Sequence, residues 1–207
     1  MKAALLASCL LLAVILLPAN AAVTGEIRLN FIPPCYWAAL LGWNFFSFCS
    51  EIQNTSVSNV TAPVTGQYDY VLRWNSSLQA YELYSIYSSN NVFSDFNLNE
   101  SYFIHFNSPT NLTLAGPLRG NLNLSLWQLW NAPTYPYEFP GNVSIYLATI
   151  EGFKYMLKWD AISQAYILYS VFSSANPFTQ IQSTEGQFIY TNESNDTLKY
   201  NRTQMHG

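Results

Sequence analysis

Charged residues are scarce in this chain. Aspartate, glutamate, lysine and arginine make up 10% of its 207 residues and leave a net charge of −4, whereas ~25% is usual for globular proteins. Because the chain lacks the basic surface that is typical of nucleic-acid binding, we expect no nucleic-acid partner. A surface with few carboxylates also loses little stability when acid protonates them, so the composition suits an acidic exterior.

Residues that carry catalysis or bind metals are also few. The two histidines, His105 and His206, do not neighbour a nucleophile motif, and the sequence contains no Gly-rich phosphate loop. Glu100 and Glu185 occupy equivalent positions of a repeat described below. Such a carboxylate pair could serve glycoside hydrolysis, but a duplicated turn residue is the simpler interpretation. The sequence predicts a protein that is not an enzyme, with no metal and no cofactor apart from N-linked glycans.

Long apolar runs are absent except at the N-terminus. There Lys2 precedes an apolar run over residues 3–17, and Ala19 and Ala21 form an A-x-A cleavage site. A membrane anchor is the weaker interpretation, because the run falls short of the ~20 apolar residues that a span needs. We therefore predict a signal peptide over residues 1–21 and an extracellular or cell-surface protein without a membrane span of its own.

Cysteine is rare as well. Cys9 lies in the predicted signal peptide, which leaves Cys35 and Cys49 in the exported chain. In an oxidising compartment two such cysteines are expected to form a disulfide. We predict that it clips the two ends of a hairpin in the first part of the chain.

The strongest positive feature is an internal repeat. Residues 70–104 align without a gap to residues 155–189, at an offset of 85, with 16 of 35 positions identical. The shared pattern is Tyr-x-Leu-Arg/Lys-Trp followed by Gln-Ala-Tyr-x-Leu-Tyr-Ser. We interpret it as a tandem duplication of one unit.

Alternating apolar residues bounded by turn residues predict strands throughout the mature chain and no helix. The predicted strands include residues 43–49 and residues 143–149. Many short strands at this spacing indicate a β-sandwich or barrel in each copy. We predict an all-β protein with an extended N-terminal strand over residues 22–34, a first β-domain over residues 35–118 and a second over residues 119–207.

Glycosylation signals are unusually frequent. The pattern Asn-x-Ser/Thr occurs ten times, and most copies fall in predicted turns, where a glycan can project into solvent. Accidental matches in Asn- and Ser-rich loops account for some of them, but the excess indicates a glycoprotein. The candidate sites are Asn54, Asn59, Asn75, Asn99, Asn111, Asn123, Asn142, Asn192, Asn195 and Asn201.

Several short motifs carry a resemblance to a known kind of protein. Gly42-Trp-Asn-Phe-Phe-Ser-Phe48, with Asn99-Glu-Ser-Tyr-Phe-Ile104 as its close, resembles a β-repeat of exported archaeal surface proteins with a Gly-Trp-Asn opening and a Gly-Tyr-Trp-Ile close. Trp127-Gln-Leu-Trp-Asn-Ala-Pro133 and Glu185-Gly-Gln-Phe-Ile189 are degraded second copies. The Tyr-, Asn- and Ser-rich texture is also similar to the glycosylated thread-filament (pilus) subunits of thermoacidophilic archaea. That resemblance implies donor-strand polymerisation, in which one subunit's N-terminal strand completes the next subunit's sheet.

The N-terminal segment is suited to such assembly. Ile27, Leu29 and Phe31 alternate with polar residues, and Pro33-Pro34 separates them from the body of the chain. Ten extended residues reach about 33 Å, enough to leave one subunit and line a groove in another. Such a head-to-tail contact does not close on itself and produces a fibre of identical copies. The alternative is that the segment pairs within its own domain.

Sugar binding is the rival hypothesis: a monomeric adhesin or carbohydrate-binding module that contacts surface glycans or other cells. Its candidate residues are Tyr135, Tyr137 and Phe139, which lie between prolines in a rigid aromatic loop. These rings would stack on sugars. The alternative is that they cover the protein's own sheet or a neighbouring subunit.

Overall fold

A computed structural model of the protein describes residues 35–205, which belong to one compact unit, Ile32–Gly207. The predicted signal peptide and the N-terminal strand with Ile27, Leu29 and Phe31 lie outside the described residues, as does His206. We divide the described residues into a first half, residues 35–118, and a second half, residues 119–205.

The first half contains six strands, which form two antiparallel sheets. A four-stranded sheet has the order β2-β5-β3-β4, and a separate two-stranded sheet pairs β1 with β6. One short helix and a 3-10 turn, Ala62–Val64, lie between β2 and β3. The elements are β1 Cys35–Ala39, β2 Gly42–Phe46, α1 Val57–Val60, β3 Tyr68–Asn75, β4 Ala80–Ser85, β5 Tyr102–Phe106 and β6 Thr110–Leu114.

The second half has the same plan. A four-stranded antiparallel sheet has the order β11-β10-β13-β8, and two small sheets pair β7 with β14 and β9 with β12. The elements are β7 Leu122–Leu126, β8 Leu129–Asn131, β9 Gly141–Asn142, α2 Val143–Leu147, β10 Phe153–Asp160, β11 Ala165–Ser170, β12 Gln180–Ile181, β13 Gln187–Thr191, β14 Asp196–Tyr200 and α3 Arg202–Met205. The predicted all-β class is thus confirmed.

Two of the predicted strands differ from the structure. Residues 143–147 form helix α2 instead of a strand, because the Asn142 side chain accepts a hydrogen bond from the Ser144 backbone N–H and caps the first turn. The strand predicted to run to Cys49 ends at Phe46, since the N–H groups of Ser47 and Phe48 bond Thr184 and Thr134 of the second half instead of β5. The expectation of no helix was also wrong, although α1, α2 and α3 each have only four or five residues.

Each half has its own hydrophobic core on one face of its four-stranded sheet. Alternate residues of β5, Tyr102, Ile104 and Phe106, enter the first core, and Ile189 of β13 enters the second. Alternation is the reason, since neighbouring residues of a strand point to opposite faces. The other face of each sheet is also apolar and belongs to a third cluster, so the inner strands of the two large sheets are covered on both faces.

The predicted disulfide is present and joins Cys35 of β1 to Cys49, with the two Cα atoms 5.8 Å apart. It does not clip a hairpin, because β1 pairs with β6 whereas β2 pairs with β5. The bond instead ties the two-stranded sheet to the segment that follows β2. Both cysteines are buried in the first core.

Candidate functional site

The two large sheets face each other across a layer of aromatic rings. Phe45 stacks on Phe103 with ring centres 4.2 Å apart, and the Phe188 ring of the second half lies 5.0 Å from Phe45. These three side chains are buried and form the third cluster together with Ala132. Aromatic pairs of this kind stabilise a fold by more than the buried area alone would give. The two halves therefore share a hydrophobic core.

Side chains of the second half form hydrogen bonds with the backbone of the edge strand β2 of the first half. The Trp43 backbone N–H donates to Gln164 Oε1 (2.9 Å), and the Trp43 carbonyl oxygen accepts from Gln164 Nε2 (3.0 Å) and from Trp159 Nε1 (2.8 Å). The glutamine amide thus pairs with both backbone groups of one residue, as a neighbouring strand would. We call Trp159 and Gln164 with Trp43 the second-half clamp.

The first half makes the same contacts in return. Trp130 of β8 donates its backbone N–H to Gln79 Oε1 (3.0 Å), and its carbonyl oxygen accepts from Gln79 Nε2 (2.9 Å) and Trp74 Nε1 (3.0 Å). We call Trp74 and Gln79 with Trp130 the first-half clamp. The two clamps explain the spacing of the repeated Trp and Gln, which hold a hairpin and its turn against the opposite half.

The Gly-Trp-Asn motif builds the strand that each clamp holds. Gly42 has φ of +92°, a conformation that glycine adopts without cost, and the buried Asn44 side chain bonds the Leu40 backbone N–H and carbonyl across the turn. Asn131 bonds Trp127 in the same way, but Leu129 with φ of +77° stands where the first copy has glycine. The motif therefore places a tryptophan, Trp43 in β2 and Trp130 in β8, on an edge strand of each large sheet.

Backbone pairing between the halves continues beyond the clamps. Ser47 donates its N–H to the Thr184 carbonyl (2.9 Å), and Thr134 donates its N–H to the Asn99 carbonyl (2.9 Å). Isolated bridges join Phe46 to Glu185 and Glu100 to Pro133. Both halves thus contribute backbone to each other's sheet ends, and the outer edges of β2 and β8 are occupied.

The opposite ends of the two sheets are open except at their last residues, where the Asn91 and Asn176 side chains bond the backbone N–H and carbonyl groups of Ser85 and Ser170. Strands β4 and β11 are outermost in their sheets, and no strand among residues 35–205 pairs with their outer edges. The two strands converge, since Tyr81 OH and Tyr166 OH are hydrogen bonded at 2.9 Å. Large apolar side chains on both strands remain accessible, at 45% for Leu83 and 47% for Leu168. Unpaired strand edges of this kind are sites where another chain can add a strand.

The aromatic loop singled out from the sequence does not present rings to solvent. Tyr135 and Tyr137 are fully buried in the second core, and Phe139 packs against that core. Burial raises the pKa of Tyr137 to about 12. A ring without an accessible face cannot stack on a sugar, so the alternative in which these residues cover the protein's own sheet describes their positions.

The candidate glycosylation sites are spread over both halves. Asn54, Asn59, Asn99, Asn111, Asn123, Asn192 and Asn195 are exposed, whereas Asn75, Asn142 and Asn201 are half-buried. Two of the exposed sites lie within strands, Asn111 in β6 and Asn123 in β7, which differs from the expected placement in turns. The Asn75 amide nitrogen donates to Glu82 Oε1 (2.8 Å), so a glycan at this position would replace a hydrogen bond.

The residues considered for catalysis have structural partners. Glu185 pairs with Lys158 at 3.0 Å, and Glu100 accepts hydrogen bonds from Asn97 Nδ2 (2.9 Å) and Tyr102 OH (3.2 Å). His105 lies on the aromatic face of β5 with its ring 5.0 Å from that of Trp43. Within residues 35–205, no group of three or more His, Cys, Asp or Glu side chains is arranged to hold a metal ion.

Two clefts lie at equivalent positions on the boundary between the halves. The larger, which we call the Trp127 cleft, has a volume of about 450 Å³ and lies between the β3–β4 turn and strand β7. The smaller has about 280 Å³ and lies between the β10–β11 turn and strand β1. The residues of the first cleft match those of the second at the offsets of the repeat, as Trp74 matches Trp159 and Glu100 matches Glu185.

Comparisons with known proteins add no relative: no family model matches this chain, and neither a curated protein nor a solved structure resembles it. In the part of the chain that the structure describes, no helix is long and apolar enough to cross a membrane.

Proposed function

We propose that the protein is a structural subunit of an extracellular, glycosylated surface filament, and that it polymerises head-to-tail by donating its N-terminal strand to the next copy. The observation that carries this proposal is the outer edge of β11, which no strand among residues 35–205 occupies and which a further strand can extend along the residues before Ser170. The resemblance to thread-filament subunits and the predicted signal peptide support the same conclusion.

The choice of β11 over β4 rests on charge. Strand β4 carries Glu82, which pairs with Arg73 on the neighbouring strand, whereas β11 has Ile167 at the equivalent position. Charged residues on an edge strand discourage strand addition, and β11 contains none. Its exposed residues, Tyr166 and Leu168, form an apolar strip beside the open edge.

The N-terminal segment fits this edge in length and pattern. Strand β11 has six residues, which span roughly 20 Å, and residues 22–32 are long enough to cover it when extended. Ile27, Leu29 and Phe31 would lie beside Tyr166 and Leu168 of the receiving subunit. The backbone groups of the donor would pair with the outer edge, and alternate side chains would supply specificity.

The experiment compares native protein with a variant that lacks residues 22–30, by negative-stain microscopy and light scattering. We expect filaments from the native protein and folded monomers from the truncated one. Folded monomers in both samples would contradict the proposal. A truncated chain that unfolds would show that the segment belongs to its own domain, which also contradicts strand donation.

A pair of matched substitutions tests the choice of edge. Leu168→Lys places a charge beside the proposed acceptor edge, and Leu83→Lys makes the same change at the equivalent position of β4. Both positions are nearly half exposed, at 47% and 45%, so both variants should fold. We expect Leu168→Lys alone to abolish filaments. Filaments that survive in it and disappear with Leu83→Lys would assign the acceptor edge to β4 instead.

A further inference from the structure

The Trp127 cleft has the lining of a sugar-binding site. Trp127 stands on its rim with 61% of its surface exposed, and its ring packs on no other aromatic side chain of residues 35–205. Amides and hydroxyls line the interior, including Asn97, Asn99 and Ser77. An exposed indole offers an apolar face for stacking, and amides and hydroxyls offer both donors and acceptors.

From this arrangement we propose that the Trp127 cleft binds a neutral oligosaccharide, with Trp127 as the stacking platform and the amides of the cleft as hydrogen-bonding partners. The volume of about 450 Å³ lies within the usual range of ligand sites, ~300–1,000 Å³. The proposal is independent of strand donation, because the cleft lies on the boundary between the halves and does not include β4 or β11.

The charges of the cleft favour a neutral ligand. Arg73 lines it, but the guanidinium donates from Nε to Glu82 Oε2 (2.7 Å) and is thereby neutralised. Glu100, the carboxylate in the cleft lining, lies close to the same arginine. Because Arg73 is already paired with Glu82, the carboxylate of Glu100 leaves the cleft negative rather than positive. The cleft therefore does not attract a phosphate or sulfate group, and recognition must come from stacking and neutral hydrogen bonds.

The equivalent cleft of the other half provides an internal comparison. At the offset of 87 that relates Trp43 to Trp130, Leu40 stands where the larger cleft has Trp127. Ile162 replaces Ser77, and Thr184 replaces Asn99. The smaller cleft therefore has the same framework without the stacking platform and with fewer polar groups, so we expect it not to bind sugars.

An oligosaccharide could reach the cleft from two sources. Asn99 and Asn123 are exposed candidate glycosylation sites that line it, so a glycan of the protein itself could fold back into the cleft. The other source is a glycan on a different molecule. Both sources share the same chemistry, and the state of glycosylation distinguishes them.

The test is calorimetric titration of the full chain with mannohexaose and with chitotetraose, at up to about 10 mM because single-site sugar binding is weak. The chain is prepared once in a host that attaches N-glycans and once in a host that does not. Trp127→Ala is the test variant and Leu40→Ala its matched control in the smaller cleft. Both substitutions leave intact the backbone groups that bond Asn131 and Asn44.

We expect saturable binding of at least one probe to the unglycosylated chain, weakened about tenfold by Trp127→Ala and unchanged by Leu40→Ala. Binding to both preparations would identify an external glycan as the ligand, whereas binding to the unglycosylated chain alone would identify the protein's own glycan. The proposal is overturned if neither preparation binds, or if Trp127→Ala binds as tightly as the parent chain.

Discussion

The two clamps should make the halves unfold together, and the glutamines allow a direct measurement of their contribution. Gln79 makes three hydrogen bonds, two with Trp130 and one to the Ser76 carbonyl (2.6 Å). A hydrogen bond contributes about 1 kcal/mol net, and partial exposure of Gln79 reduces this sum. We therefore expect Gln79→Ala to lower the free energy of unfolding by about 2 kcal/mol.

Gln164 makes the equivalent three hydrogen bonds but is exposed, so after its removal water can bond more of the backbone groups that it leaves. We expect a loss of about 1 kcal/mol for Gln164→Ala, and about 3 kcal/mol for the double variant because the clamps share no residue. Gln79 and Gln164 have φ of +52° and +53°. An alanine is therefore strained to a similar degree at both positions. This backbone contribution cancels when the free energies of unfolding of the two variants are compared.

The assay is guanidinium unfolding of the disulfide-intact chain, followed by tryptophan fluorescence. Gln128→Ala is the control, because Gln128 is exposed and makes a single bond, to the Asn192 carbonyl within the second half. We expect a change of about 0.5 kcal/mol or less for the control. A Gln79→Ala variant no less stable than the control would refute the reasoning, as would two separate transitions in the parent chain, since shared interior and clamps should give one.

Further substitutions at the disulfide, at two glycines and at two glutamates have expected outcomes. Replacing both cysteines of the disulfide by serine removes a crosslink between residues 14 apart. Calorimetry should show that the free energy of unfolding falls by about 3 kcal/mol, and reduction of the parent chain should lower it by the same amount. Gly42→Ala should cost about 2 kcal/mol in denaturant unfolding, because φ is +92° and a Cβ would lie 2.9 Å from the clamp glutamine. Gly66 also has a positive φ, +78°, but a Cβ there would meet open space, so Gly66→Ala should cost less than Gly42→Ala. An equal cost would show that the contact of the Gly42 Cβ with Gln164 has no effect. Burial raises the pKa of Glu100, so its contribution to stability is present below the unfolded pKa and is lost as pH rises through the folded pKa. Glu100→Gln should therefore melt at a higher temperature than the parent at neutral pH and lose that advantage in acid. Glu185→Gln should melt at a lower temperature at neutral pH, because it gives up an ion pair; equal shifts in the two variants would contradict this account.

Local pattern was sufficient for much of the fold. Alternating apolar residues predicted strands at residues 68–74 and 153–159, and the structure contains them as β3 and β10. The Cys35–Cys49 disulfide followed from compartment and cysteine number. These features depend on near neighbours or on composition, which the sequence displays directly.

The candidate sites depended on contacts that local pattern does not display. Trp127 looked like part of a degraded motif, and only the approach of the β3–β4 turn to β7 makes it the rim of a cleft. Gln79 and Gln164 were recognised as repeated residues, but nothing in the sequence indicated that each bonds a tryptophan in the opposite half. Their repetition at one spacing was the available signal.

What the sequence by itself determined is the all-β class, the repeated hairpin and the cysteine pair, because strand period, turn chemistry and thiol number act over short distances. Tertiary structure alone decided that Tyr135 and Tyr137 are buried, that residues after Asn142 form a helix, and that β11 keeps an open edge. Long-range packing contributes to the first two: Tyr135 and Tyr137 lie against Tyr200, and Tyr146 of the helix donates its hydroxyl to Gln187 Oε1 across 41 positions. Such packing is set by the whole chain and overrides local preference.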